Sequence, residues 1–247
     1  MSWRLIVIAV ALTVFPSVAL AEAGDACRFM AKADHNALPF DDQSYLSKIT
    51  YRENGRVVKT FEIDIKTRGE YKMLITFKAP SDVLGMRILI LDPETMYTYL
   101  PQFRRVRRVA AHARNQGFLG TNISYEDMSE NRYSKRWSCT PAESTNEHYV
   151  LDLTPQPGAQ TVYSKMRVAI HRKRLAYERI EYYTGSRNIK SQIREGWQDI
   201  QGQSMSTKIR FVSHDRNAEA TVELTEWQVN QGIPDSDFSQ RALLRGD

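Results

Sequence analysis

Glu126 and Asp127 stand side by side near the middle of the chain, and paired carboxylates are the residue types that general acid–base chemistry uses. The same pair can cap a helix start or accept from guanidinium groups, and Arg104, Arg105, Arg107 and Arg108 lie just upstream. Nothing nearby completes a catalytic set. His35, His112, His148, His171 and His214 are scattered without metal-ligand spacing, and the chain has no Gly-x-Ser-x-Gly elbow and no phosphate-binding loop. The expectation is a protein that is not an enzyme and needs neither cofactor nor metal. Cys27 and Cys139 either pair, which an oxidising compartment permits, or remain isolated thiols. A bridge between them would close a loop of over a hundred residues, worth roughly 4 to 5 kcal/mol in the chain-entropy model.

The arginines belong to a longer block, Met96 to Met128, that concentrates aromatic, basic and glycine residues. Alternation puts Tyr97 and Tyr99 on one face of an extended segment and Met96, Thr98 and Leu100 on the other, until Pro101 ends the run. In the next extended segment the same period sends Arg104 and Arg108 to one face and Arg105 and Arg107 to the other. Such groups are either solvated, paired with Glu126 and Asp127, or in contact with a lipid phosphate or acidic partner. Gly117 and Gly120 bracket Phe118 and Leu119, a turn that reads either as a mobile apolar lid or as an anchored corner.

Tyr97-x-Tyr99-Leu100-Pro101, the basic residues Arg105 and Arg108, and Phe118-x-Gly120 followed by Tyr125-Glu126-Asp127 resemble the bacterial LolA-like outer-membrane lipoprotein-sorting protein family. The ending from Ser236 to Leu243 is similar to that family's as well. Tyr97 stands where Trp is common in the family and Asn122 where Asp is common, changes that keep size and polarity. The resemblance implies a half-barrel that carries lipid, loaded or unloaded by a membrane transporter.

Composition sets the frame. Residues Met1 to Ala21 read as a secretory leader, with Arg4, an apolar run from Leu5 to Phe15 and small residues at the exit, so cleavage after Ala21 and a periplasmic location are expected. Residues 22–247 then form one LolA-like domain, since no Pro/Gly/Ser-rich linker divides them. The formal charge of +5 over 247 residues permits contact with anionic lipid surfaces and does not indicate nucleic acid.

The elements that must position the block are strands. Phe61, Ile63 and Ile65 alternate with Glu62, Asp64 and Lys66, and Tyr71, Met73, Ile75 and Phe77 with Lys72, Leu74, Thr76 and Lys78. Asn54-Gly55 marks a hairpin. Further alternating runs extend to Val229, separated by turns such as Gly185-Ser186. About ten or eleven antiparallel strands are expected, with a short helix over Ala23 to Ala33 and a capped helix over Phe238 to Leu244. A sheet this wide must curl. The expected fold is mainly β, a strongly curved, incompletely closed half-barrel whose concave face is covered by short helices.

An apolar hollow in such a sheet suits an acyl chain. Its candidate lining or lid residues are Phe61, Ile63, Ile65, Met73, Ile75, Phe77, Tyr97, Tyr99, Phe118, Leu119 and Tyr125; each has the alternative of ordinary core packing. Arg105, Arg108, Glu126 and Asp127 are candidates for a polar network or a partner contact. The expected function is a periplasmic carrier of lipoprotein or lipid acyl chains towards the outer membrane, between an inner-membrane transporter and an outer-membrane acceptor. The alternative is a binding module for a sterol-like or hopanoid-like lipid working with an export pump.

Overall fold

The computed structural model describes residues 26–245, so the expected leader and its expected cleavage point lie outside the described residues. Helix α1 spans Arg28–Ala37, ending four residues beyond the expected stop. Thirteen strands follow, all in one antiparallel sheet. On one flank are β1 (Asp42–Glu53), β2 (Arg56–Arg68), β3 (Lys72–Ala79), β4 (Arg87–Asp92), β5 (Thr95–Leu100) and β6 (Arg105–Arg108). On the other are β7 (Trp137–Pro141), β8 (His148–Pro155), β9 (Lys165–His171), β10 (Ala176–Thr184), β11 (Arg187–Ile200), β12 (Gln203–Ser213) and β13 (Ala218–Val229). The count exceeds the ten or eleven expected. The strand with no pattern to betray it is β7, whose five residues include Ser, Thr and Pro.

Strand order is β6-β5-β4-β3-β2-β1-β13-β12-β11-β10-β9-β8-β7. Each neighbour is a chain neighbour except where β1 meets β13, a pairing that runs from Gln43↔Val229 to Glu53↔Ala218. The sheet therefore grows outward in both directions from its own two ends and leaves β6 and β7 as unpaired edges. Short hairpins enforce this order. Asn54 and Gly55 both have positive φ (49° and 77°), as do Gln201 and Gly202 (49° and 80°), the geometry that lets a two-residue turn follow the right-handed twist of its strands.

Alternation divides the two faces. The concave face carries one cluster around Phe61, Ile63, Ile65, Ile75 and Phe77, and a second around Met166, Val168, Ile170 and Tyr177. On the convex side β9–β13 are solvated and bear ion pairs such as Arg167–Asp152 and Arg210–Glu219. Over β3–β6 the convex face is instead covered by the C-terminal segment, where Phe238 and Leu243 pack on Leu74 and Leu89. That segment ends in α4 (Gln240–Arg245), which starts two residues later than expected because Ser239 caps it, its Oγ accepting from the Ala242 N–H at 3.1 Å. Arg87 Nη1 donates to the Leu243 carbonyl at 2.6 Å and holds the helix end to β4.

Cys27 and Cys139 are bonded, 112 residues apart in sequence. The bridge ties the start of α1 to the edge strand β7 and limits the unfolded chain far more than the folded one. Replacing both cysteines by alanine is expected to lower unfolding free energy by roughly 4 kcal/mol, read as a fall in denaturant midpoint, with the β-sheet circular dichroism unchanged.

Candidate functional site

The chain must travel from edge β6 to edge β7, and residues 109–136 make the crossing on the concave side. The crossover begins with a tight corner. A side chain at Gly117 would place its Cβ 2.0 Å from the Thr121 carbonyl oxygen, so only glycine fits there. Leu119 takes a left-handed φ of 48°, and its carbonyl accepts from Lys59 Nζ. Phe118 is thereby turned inward against Phe77 (5.5 Å between centroids) and Tyr125 (5.1 Å), with Phe61 edge-on to Phe77 at 5.8 Å. Asn122 then donates from Nδ2 to the Phe211 carbonyl of β12 at 2.7 Å, a bond that an ionised Asp could not make.

Helix α2 (Tyr125–Ser129) starts with a capping box in which the Ser124 hydroxyl accepts from the Asp127 N–H (3.2 Å) and Asp127 Oδ2 accepts from the Ser124 N–H (2.7 Å). The same carboxylate pairs with Lys190 of β11, and both side chains are almost wholly removed from solvent. Tyr163 completes the group, donating to Asp127 Oδ1 at 2.9 Å and accepting from Lys190 Nζ at 2.7 Å. Burial, with Asp127 beside it, pushes the Tyr163 phenol well above its ordinary value. Glu126 has the opposite fate. One of its oxygens has no partner among the described residues, and burial raises its pKa despite Arg136 nearby.

Helix α1 fills the other half of the hollow. Asp34, 1% exposed, accepts from the Tyr133 and Ser134 N–H groups (3.1 and 2.8 Å), at the start of α3 (Tyr133–Arg136), and from the Tyr177 hydroxyl at 2.8 Å. Between α1 and the crossover the filling stops. A half-enclosed cavity of about 160 Å³ remains, room for several waters and smaller than the pockets that enclose a drug-sized ligand.

Ile49, Ile63, Ile65, Met73 and Ile75 form one wall; Phe211, Val222 and Leu224 extend it. Ala33 and Ala37 of α1 and Leu38 just past its end face it, with Ile123 and Met128 of the crossover. Polar residues interrupt this lining. Gln43, Gln192, Arg194, Asn131 and Trp227 are among them, and both amide atoms of Gln43, Asn131 Nδ2 and Trp227 Nε1 are buried without a partner among the described residues. Tyr45 stacks on Trp227 at 4.4 Å, and burial pushes its phenol up to about 12 against the opposing pull of Arg194.

The residues singled out from sequence thus separate into several places. Ile63, Ile65, Met73 and Ile75 line the cavity. Phe61, Phe77, Phe118, Leu119 and Tyr125 belong to the cluster that seals one flank of it, where the Phe118–Leu119 corner is held by Lys59 and by the rings of Phe77 and Tyr125. Tyr97 and Tyr99 lie on the convex face with Leu89 and Phe238, because their register partners Leu89 and Arg87 face outward too, so neither reaches the cavity. Arg105 and Arg108 are exposed on β6 and do not pair with Glu126 or Asp127, whose cationic partner is Lys190 for Asp127 alone. Lys190, Tyr163, Gln43, Arg194 and Trp227 escaped the sequence reading. Their one signal was polar residues at alternate positions of β11, Lys190, Gln192 and Arg194, where an apolar inward face was anticipated. Ser191 and His214 share a hydrogen bond of 2.8 Å, with no carboxylate orienting the imidazole among the described residues.

A family model described as uncharacterized protein-like matches residues 69–245. The chain belongs to that family, and its fold is LolA-like. A DUF1329 family protein from Desulfovibrio piger superposes with a TM-score of 0.82 at 20% identity, over 90% of this chain and 98% of its own. A domain assigned as an outer membrane lipoprotein-sorting protein from Vibrio parahaemolyticus gives 0.82 at 18% identity, over 90% and 100%. A LolA superfamily protein from Nitrosomonas europaea gives 0.73 at 17%, over 88% and 98%. No curated protein matches in sequence. The LolA-like sheet is open, as the sequence led one to expect, and no described helix is long and apolar enough to cross a membrane.

The two adjacent carboxylates should respond oppositely to neutralisation. Asp127→Asn leaves Lys190 buried without its counter-ion, and a loss of about 3–5 kcal/mol at pH 7 is expected. Glu126→Gln removes a carboxylate whose charge the fold disfavours, so the variant should equal or exceed the wild type at pH 7. A raised folded-state pKa contributes stability below the unfolded value that is lost as pH rises through the folded one. The gap between Glu126→Gln and wild type should therefore close as pH falls from 7 towards 5, as denaturant titrations at the two pH values would record.

Proposed function

We propose that this protein is a periplasmic carrier that shields an acyl chain of a lipoprotein or lipid and moves it towards the outer membrane. The observation that carries the reading is the solvent-open apolar cavity between α1 and the crossover, in the hollow of a LolA-like sheet. Ten methylenes transferred from water to such a wall contribute on the order of 8 kcal/mol before the cost of association. That is enough for firm but reversible holding. The thioether of Met73, in the Ile wall, adapts to chains of differing shape.

The cavity's volume limits it to about one chain in this arrangement. A cargo with more chains requires α1 and the crossover to part. The crossover is fixed to β11 and β12 by the Asp127–Lys190 pair and the Asn122 bond, and α1 is tied at its start by the Cys27–Cys139 bridge. Widening then falls to the far end of α1, where Asn36 is held by two bonds to the carbonyls of Arg174 and Leu175.

The β6 edge supports docking at a membrane. Arg104, Arg105, Arg107 and Arg108 have no acidic partner among the described residues, and Phe103 beside them is 60% exposed. Charges on an edge strand also discourage pairing with a second sheet. Contact with anionic headgroups uses the same charges, and exchange of cargo with a membrane transporter and an outer-membrane acceptor would follow from that contact.

Mass spectrometry of organic extracts from gently purified native protein tests the reading. Diacylated peptide or phospholipid is the expected finding, and Met73→Trp, which fills the cavity, should reduce the lipid recovered per protein several-fold at unchanged circular dichroism. A polycyclic lipid would replace this cargo with the sterol-like or hopanoid-like class, and the absence of any bound lipid would overturn the carrier reading.

A further inference from the structure

Arg194 of β11 lines the cavity and forms no ion pair with a described carboxylate. With the Gln192 amide oriented to match its neighbours, its oxygen accepts from Arg194 Nε and Nη2 at 3.1 and 3.2 Å, and its nitrogen donates to Tyr182 Oη at 2.8 Å. A guanidinium carries five N–H donors, so three remain unused. Tyr45, Tyr133 and Tyr177 all feel its charge, and Asp34, the carboxylate bonded to Tyr177, is held by the Tyr133 and Ser134 N–H groups. The two acidic side chains that line the cavity are already engaged, Asp127 by Lys190 and Glu130 by Arg136. Glu130 keeps one oxygen without a partner, and burial raises its pKa towards the neutral form.

Arg194 therefore lines the cavity as a cation with no ion-pair partner among the described residues, and the same cavity is lined by neutral hydrogen-bonding groups that are buried and unmet. Gln43 is 1% exposed, yet neither atom of its amide has a partner, and the Trp227 indole N–H is equally unmet. Gln43 lies two residues from Tyr45 on β1, Tyr45 stacks on Trp227, and Tyr45 is the phenol whose titration Arg194 affects. Buried polar groups left unpaired are costly, whereas Arg194 is half-buried and keeps free donors that a ligand in the cavity can use. A ligand that satisfies the buried groups removes that cost.

We propose that the cavity selects anionic amphiphiles, the carboxylate or phosphate of the headgroup held by Arg194 with the Gln43 amide and the Trp227 N–H, and the chain lying along Ile63, Ile65 and Ile75. This rests on the carrier reading and adds to it a specificity for the charged end of the cargo. Arg194 supplies the charge and two directed donors, a geometry that a planar or tetrahedral oxyanion matches and an uncharged alcohol does not. Gln43 can also donate and accept at once, which suits an ester or amide next to the headgroup.

The test is displacement of the neutral fluorophore N-phenyl-1-naphthylamine from delipidated protein by two matched pairs: palmitate against hexadecanol, and palmitoyl lysophosphatidate against monopalmitoylglycerol. The wild type should bind at least one anion tenfold or more tightly than its neutral partner, and the pair that shows the larger ratio names the headgroup, carboxylate or phosphate. Arg194→Gln should lose the preference while still binding the neutral ligands, and Arg194→Lys should retain most of it. Equal affinity within both pairs for wild type, or a preference that survives Arg194→Gln, overturns the proposal and leaves the carrier reading standing. Failure of every ligand, charged or neutral, to displace the fluorophore overturns both.

Discussion

An open antiparallel sheet of thirteen strands encloses more volume than its own inward side chains can fill, and this constraint governs the molecule. The edges β6 and β7 never meet, so the chain must cross the hollow to get from one to the other. The crossover becomes a plug as a consequence of topology. Its aromatic corner fills one flank and α1 fills the opposite one, and neither reaches the middle. The cavity is what is left between two plugs that are fastened to different parts of the sheet.

The fastenings are polar, buried and few. Asp127 does two things at once, closing a capping box and neutralising Lys190. Asp34 likewise joins α1 to α3 and to Tyr177 of β10. A buried ion pair adds little stability over a hydrophobic substitute, but it fixes where a segment sits, since no other position satisfies both charges. The walls are apolar because β1–β3 and β13 alternate cleanly, whereas β11 sends Lys190, Gln192 and Arg194 inward. Ile193, the apolar residue between them, pairs with Arg179 and Arg210 on the outer side. One cavity thereby acquires both apolar and charged lining, the two chemistries that an amphiphile combines.

Much of this architecture was legible in advance. Alternation in Phe61–Ile65 and Tyr71–Phe77, Asn54-Gly55, and the signature around Tyr125 identified the class of sheet and its open form, because half-buried strands and two-residue turns announce themselves locally. The edge strand β7 did not, being short and weakly apolar. The face of the β5 tyrosines was left open, since alternation says which residues share a face and not which face is concave; that is decided by Phe238 and Leu243, more than a hundred residues away. The cavity's polar lining was invisible for a similar reason. Gln43, Arg194 and Trp227 come from three strands that only the β1–β13 pairing brings together, and partners at such separations leave no trace in spacing.

The central claim is that an acyl chain lies between α1 and the crossover against the β1–β3 wall. Paramagnetic relaxation in methyl-labelled protein loaded with stearate spin-labelled near its tail tests it most directly. The methyl signals of Ile63, Ile65, Met73 and Ile75 should broaden, while those of Leu74 and Leu89 on the convex face stay sharp. Broadening confined to the convex face, or none at saturating ligand, would contradict the account.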